Sequence, residues 1–174
     1  MALGFQPMAR CFSLTLVLAL ALTGGCAMSP DSDPGAVAAA YAAAGRYDEA
    51  SREIELAVRA HPRDVALRRQ AAGIQARAGR VPQAIDHLEA AIQLAPTDAD
   101  VWIQLAGLEN GRQNDADAYV AYRRAAELAP DDIRAVSGLA LTADTLGFDD
   151  EARVAYARWA ELERELDAKG PSGE

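Results

Sequence analysis

The chain has 174 residues, 51% of them hydrophobic and only 6% aromatic, a length that suits one domain better than two. It is rich in Ala, Leu, Arg, Asp and Glu and has almost no alternating β-branched runs, which predicts an all-α protein. A formal net charge of −9, with no Lys/Arg stripe interleaved with aromatics, argues against nucleic acid as a partner.

Arg10 is the only charged side chain before residue 26, and Phe12 to Leu22 form an apolar run. The run is shorter than the roughly 20 residues a spanning helix needs. It fits the apolar part of a secretory signal peptide, expected to be removed, with either Met1 or Met8 as the start. Its removal leaves 16 basic and 26 acidic residues, a balance of −10. Both cysteines, Cys11 and Cys26, lie in this region, so the remainder holds no disulfide framework.

Leu22, Thr23, Gly24, Gly25 and Cys26 resemble the lipobox of bacterial lipoproteins, with Thr23 standing where that motif usually has Leu. The resemblance implies that Cys26 is acylated and becomes the new N-terminus. Ala27, in place of Asp, resembles the class sorted to the outer membrane. The alternatives are a plain signal peptide with an incidental cysteine, or an uncleaved anchor helix from Phe12 to about Ala27. Each buried methylene of an attached lipid contributes about 0.8 kcal/mol of membrane affinity. Residues 26–33 are then a short polar tether of at most roughly 25 Å, at about 3.5 Å per residue. The expected localisation is the cell envelope, on the periplasmic face of the outer membrane.

From residue 31 onward the chain repeats itself in one register. Gly45, Gly79 and Gly147 fall in this register, as do Ala50, Ala84, Ala118 and Ala152, then Ala57, Ala91 and Ala125, and finally Pro62, Pro96 and Pro130. A 34-residue period with small residues and a closing proline marks a helix-turn-helix solenoid whose units bury their apolar faces by stacking. The units run from Asp31 to Asp64, Val65 to Asp98, Ala99 to Asp132, and Ile133 to about Arg164, with the helical domain spanning 34–168. The third unit, with Trp102, Leu105, Ala106, Ala118, Tyr122, Ala125 and Pro130, resembles the tetratricopeptide repeat best, and the resemblance extends over all four units. It implies a right-handed α-solenoid of four repeats.

The repeated residues have mechanical roles. Alanines let paired helices approach closely, and the glycines, each following a helical run, are suited to a left-handed turn. Prolines stop the second helix of each unit, and Asp64, Asp98, Asp131 and Asp132 stand where they can cap the next first helix. Unit three has Gln113 in the glycine position and Gly111 two residues earlier, so a shifted or looser turn is expected there. In the last unit Trp159 replaces the small residue, and Trp159, Leu162 and Leu166 form a stripe at helical spacing, read as a terminal cap or a partner surface. Residues 169–174 read as a disordered tail.

His61 and His87 occupy unrelated repeat positions, and neither has the further ligands a metal site needs. Phosphate-loop, dinucleotide and nucleophile-elbow patterns are missing. Asp131-Asp132 and Asp149-Asp150 read as helix starts rather than catalytic dyads. No enzyme activity, cofactor or small-molecule substrate is expected. The tetratricopeptide resemblance implies instead a concave groove lined by the first helix of each unit, which takes a protein or peptide ligand. Its candidate residues are Arg69, Gly73, Arg77, Ile103, Gly107, Asn110, Arg134 and Leu141. Small residues there let a ligand backbone come close, and the arginines suit a partly acidic peptide with one apolar anchor. Gly35, Ala39, Asp100 and Gln104 hold positions where the carboxylate-clamp type of groove has Lys, Arg and Asn, so a chaperone-tail ligand is not expected. By resemblance to small tetratricopeptide lipoproteins, the expected role is a scaffold in pilus or secretin assembly. The alternative is a regulator docking on a peptidoglycan enzyme.

Overall fold

The computed structural model describes residues 33–169, which form eight α-helices and no strand. The signal segment, Cys26, most of the tether and the residues beyond Lys169 lie outside the described residues. The helices are α1 Ala36–Ala43, α2 Tyr47–Ala60, α3 Val65–Arg77, α4 Val81–Leu94, α5 Ala99–Gly111, α6 Asp115–Leu128, α7 Ile133–Thr145 and α8 Asp149–Lys169. Each packs on its neighbours in chain order, and α5 also meets α7. The result is a one-dimensional stack of four helix pairs, an α-solenoid, with α1, α3, α5 and α7 as the first helices and α2, α4, α6 and α8 as the second.

The turn within each pair is built the same way. Gly45, Gly79 and Gly147 have φ of 73°, 76° and 77°, left-handed values that cost glycine least. In unit two the N–H of Gly79 donates to Ala76 O at 3.0 Å and that of Arg80 to Gln75 O at 2.8 Å, the paired bonds of a Schellman motif. The turn of unit three is neither shifted nor loosened, contrary to expectation. Gln113 itself adopts φ 63°, and its N–H and that of Asn114 donate to Asn110 O and Glu109 O, each at 2.9 Å. The two backbone bonds, with Asn114 Nδ2 donating to Glu109 Oε2 at 3.0 Å, hold a non-glycine residue in the strained region.

Between pairs, aspartate and proline act together. Asp64, Asp98 and Asp132 are N-caps whose side chains accept from the N–H of Leu67, Asp100 and Arg134 at 3.0, 3.0 and 2.9 Å. Asp131 does not cap as expected, because its carboxylate pairs with Arg158 of α8. The proline carbonyls, freed by the helix ends, are all used: Pro62 O accepts from Arg68, Pro96 O from Trp102 and Pro130 O from Arg158.

The core follows the register. Ala50, Ala84, Ala118 and Ala152 are buried, as are Ala57, Ala91 and Ala125, so helices meet backbone to backbone, with Ile54 and Leu88 filling the space beside them. Burying an Ile or Leu side chain contributes roughly 1.5–3 kcal/mol. The two ends depart from the pattern. A full first helix would begin one repeat before Val65, at Asp31, but α1 begins only at Ala36, after Pro34 and with Gly35 as its N-cap. At the other end α8 has 21 residues against 14 for α2, α4 and α6. Its stripe divides: Leu162 is buried, Trp159 is half-buried and stacks on Tyr156 at 6.1 Å, and Leu166 is exposed. Leu162 is therefore the capping residue.

Candidate functional site

The first helices of units two to four bring seven of the eight candidate groove residues into two neighbouring depressions. One, of about 420 Å³, lies between α3 and α5 over Leu88 of α4, and holds Arg69, Gly73, Arg77 and Gly107. The other, of about 340 Å³, lies between α5 and α7 over Tyr122 of α6, and holds Asn110, Arg134 and Leu141. Ile103 of α5 is half-buried and lines neither. These positions share a helix face because residues three and four apart lie one above another, so Arg69, Gly73 and Arg77 form one row on α3, and Ile103, Gly107 and Asn110 or Gly111 another on α5.

Gly73 and Gly107 are exposed inside helices, where glycine costs stability. A Cβ at Gly73 would meet nothing within 4 Å, and one at Gly107 only the Tyr122 hydroxyl at 3.9 Å. Neither glycine is required by packing, and both leave the trough floor open to another backbone. Gly138 differs, because a Cβ there would lie 2.3 Å from the Tyr122 ring. That glycine admits the ring beneath the second depression.

Two of the three groove arginines, Arg69 and Arg134, are held in ion pairs. Arg69 faces Asp98 at 3.7 Å and Asp100 at 3.2 Å. The Gln104 amide oxygen, turned to the guanidinium, accepts from Nη2 and Nε at 3.2 and 3.3 Å. Asp100 also accepts from Arg134 Nη2 at 2.6 Å, and Arg134 pairs with Asp132 at 2.6 Å. One rim of the groove is thus an alternating row, Asp98, Arg69, Asp100, Arg134, Asp132, whose charges largely neutralise one another. The Arg134 guanidinium is held well above its ordinary pKa by hydrogen bonds to Asp132 and then Asp100. Among the described residues Arg77 makes no ion pair, so it is the groove cation with unspent hydrogen-bonding capacity.

Tyr122 belongs to the site but escaped the sequence reading as a groove residue, and Asp100 and Gln104, read at groove positions, were not read as partners of the arginines. Asp100 and Arg134 lie one repeat apart and are opposite in charge, so the repeat register itself carried the signal for that pair. Tyr122 sits at a scaffold position, and only the missing side chain of Gly138 shows that its ring reaches the groove. Burial pushes the Tyr122 phenol above its ordinary pKa, so it stays protonated and can donate. Elsewhere among the described residues, the histidine in a built contact is His87, whose Nε2 lies 2.8 Å from Glu55 Oε1. Among the described residues no group of three or more His, Cys, Asp and Glu is placed to hold a metal, and no helix is long and apolar enough to cross a membrane.

Comparison with known proteins agrees with this geometry. No curated protein sequence matches the chain. Two crystal structures of MamA share its fold: one has 21% identity, a TM-score of 0.70, and covers 76% of this chain and 78% of that one. The other has 20% identity, a TM-score of 0.68, and covers 80% and 76%. The first TPR of Spaghetti (RPAP3), bound to the HSP90 peptide SRMEEVD, has 22% identity and a TM-score of 0.60, covering 67% of this chain and 96% of that one. Residues 75–139, which run from the end of α3 into α7, match the tetratricopeptide repeat family model. The repeat register extends on both sides of that match, and over most of its length the chain is similar to tetratricopeptide solenoids in its all-α fold.

Proposed function

We propose that this protein is a non-catalytic interaction scaffold that holds an extended polypeptide segment in the trough formed by α3, α5 and α7. The observation that carries the reading is the pair of exposed, unpacked glycines, Gly73 and Gly107, set over an apolar floor of Ala72, Leu88 and Leu108 with Arg77 at one end. Such a trough accepts a backbone at close range, seats a small or medium apolar side chain, and offers one cation to a carboxylate. The peptide seen in the similar RPAP3 structure supports peptide binding by this fold. It does not carry over as the ligand, because Asp100 stands on the rim where a carboxylate tail would need cations.

The Cys26 motif supports anchoring of the scaffold to a bacterial envelope membrane by lipid, with the tether holding the helical array close to that surface. In that setting the role is assembly of an envelope machine, with a pilus or secretin component as the partner. A photo-crosslinking residue at Gly107, compared with one at Val154 on the exposed face of α8, tests the groove in cells. Crosslinks to one identified envelope protein from residue 107 alone support the reading. Crosslinks from residue 154 alone, or from neither, contradict it.

A further inference from the structure

Outside the groove, α4 and α5 leave an open crevice of about 560 Å³, lined by Asp86, Glu89, Ile92, Gln93, Trp102 and Leu105 among others. It shares no lining residue with the two depressions between first helices. Trp102, Ile92 and Leu105 are half-buried, while Asp86, Glu89 and Gln93 are exposed along its edge. The indole N–H is already satisfied by Pro96 O at 3.0 Å, which fixes the ring and leaves only its apolar surface to be covered.

Comparison with the previous joint shows what is particular to this one. One repeat earlier the same positions hold Arg52, Glu55, Arg59 and Arg68. There Glu55 is occupied, accepting from Gln75 Nε2 at 3.0 Å and facing His87 at 2.8 Å. At the second joint Asp86 replaces Arg52, Gln93 replaces Arg59 and Trp102 replaces Arg68. Asp86 and Glu89 make no ion pair among the described residues. The surrounding chain has the same sign: residues 33–80 carry six acidic and eight basic side chains, whereas residues 81–169 carry 18 acidic and eight basic.

We infer that the α4–α5 crevice is a second docking surface, which takes a basic amphipathic segment of a partner protein. One large apolar side chain of that segment seats against Trp102, Ile92 and Leu105, and flanking Lys or Arg side chains reach Asp86 and Glu89. A cation above the indole face adds to the attraction. The acidic field of residues 81–169 steers such a segment and repels an anionic one. The site is independent of the groove, so the scaffold can hold two partners at once.

The chain has two tryptophans, so Trp159→Phe leaves Trp102 as the sole indole reporter. The probe is a Leu/Lys amphipathic peptide four helical turns long, with its Leu/Glu counterpart as control. Expected is a saturable blue shift of Trp102 emission with the Lys peptide and none with the Glu peptide. Asp86→Lys with Glu89→Lys should weaken binding about tenfold or more, while Asp149→Lys with Asp150→Lys, the same change in net charge elsewhere, should leave it within about twofold. Should the crevice double variant fail to fold by circular dichroism, Glu89→Gln is the replacement, with an expected loss of about threefold. Equal weakening by both double variants, binding of the Glu peptide, or an unmoved Trp102 spectrum would overturn the assignment.

Discussion

Asp100 and Arg134 occupy the same position in successive repeats and meet side chain to side chain, Oδ1 to Nη2, at 2.6 Å. Asp100 turns its other oxygen to Arg69, so one carboxylate ties three repeats together. The partners are 38% and 59% exposed, which limits the coupling of the pair to about 0.2–1 kcal/mol, measurable by a double-mutant cycle and reduced by salt. The larger effect belongs to binding. Asp100→Asn removes the carboxylate that Arg69 and Arg134 share, leaving each a single acidic partner, and a groove so altered should hold an acidic peptide more tightly in a calorimetric titration, with stability changed by less than about 1 kcal/mol.

Asp132 gives the array an acid-sensitive joint. Its hydrogen bond to Arg134 holds the carboxyl below the ordinary range; partial burial opposes this, and bonds from the α7 backbone assist it. A carboxyl whose folded value is depressed contributes stability above its unfolded value, about 3.9, and loses it as pH falls through the folded value. Asn caps a helix as well as Asp, so Asp132→Asn isolates the charge. Chemical denaturation should find the variant less stable by roughly 1 kcal/mol at pH 7, with the difference closing below about pH 4.

The glycines of this chain should respond to substitution in opposite directions. Gly73→Ala enters open space in an exposed helix and should stabilise by about 0.5–1 kcal/mol. Gly138→Ala drives a methyl into the Tyr122 ring and should destabilise by about 1–3 kcal/mol, a loss that Tyr122→Leu relieves. Gln113→Gly restores the residue the left-handed turn prefers and should add about 0.5–1 kcal/mol. Thermal unfolding of the four variants checks all of these.

Acylation of Cys26 is a prediction from the sequence alone. Mass spectrometry of the membrane-bound protein should find a lipid-modified Cys26 at the N-terminus, and Cys26→Ser should release the helical domain from the membrane. An unmodified N-terminus at Ala27, or an intact Phe12–Leu22 segment, would remove the anchor from the account and leave the groove untouched.

The helix pairs, their turns and their core alanines were legible because a repeat states each mechanical requirement several times. Where one copy breaks the pattern the sequence misleads. Gln113 read as a displaced turn, yet the two Schellman bonds hold the backbone in place without glycine. Asp131 read as a cap, but Arg158 of α8 claims it. The groove was legible as a set of positions and not as a charge pattern. Arg69 and Arg134 read as open cations, although the register already set Asp100 one repeat before Arg134, and the structure places its carboxylate between the two guanidinium groups. The α4–α5 crevice was invisible because Trp102 fits the repeat consensus, and its accessibility depends on how closely one second helix packs on the next first helix.

The central claim is that an open, glycine-floored trough on α3 and α5 captures a protein segment. Gly73→Leu with Gly107→Leu fills that trough, a Cβ at either position meeting nothing closer than the Tyr122 hydroxyl at 3.9 Å, and leucine favours helix over glycine by roughly 0.5–1 kcal/mol at each site. Crosslinking in cells with wild type and the double variant, at matched expression, reads the claim directly. The account predicts a variant at least as stable as wild type that has lost the crosslinked protein partner. A stable variant that retains the same partner at the same yield would contradict it.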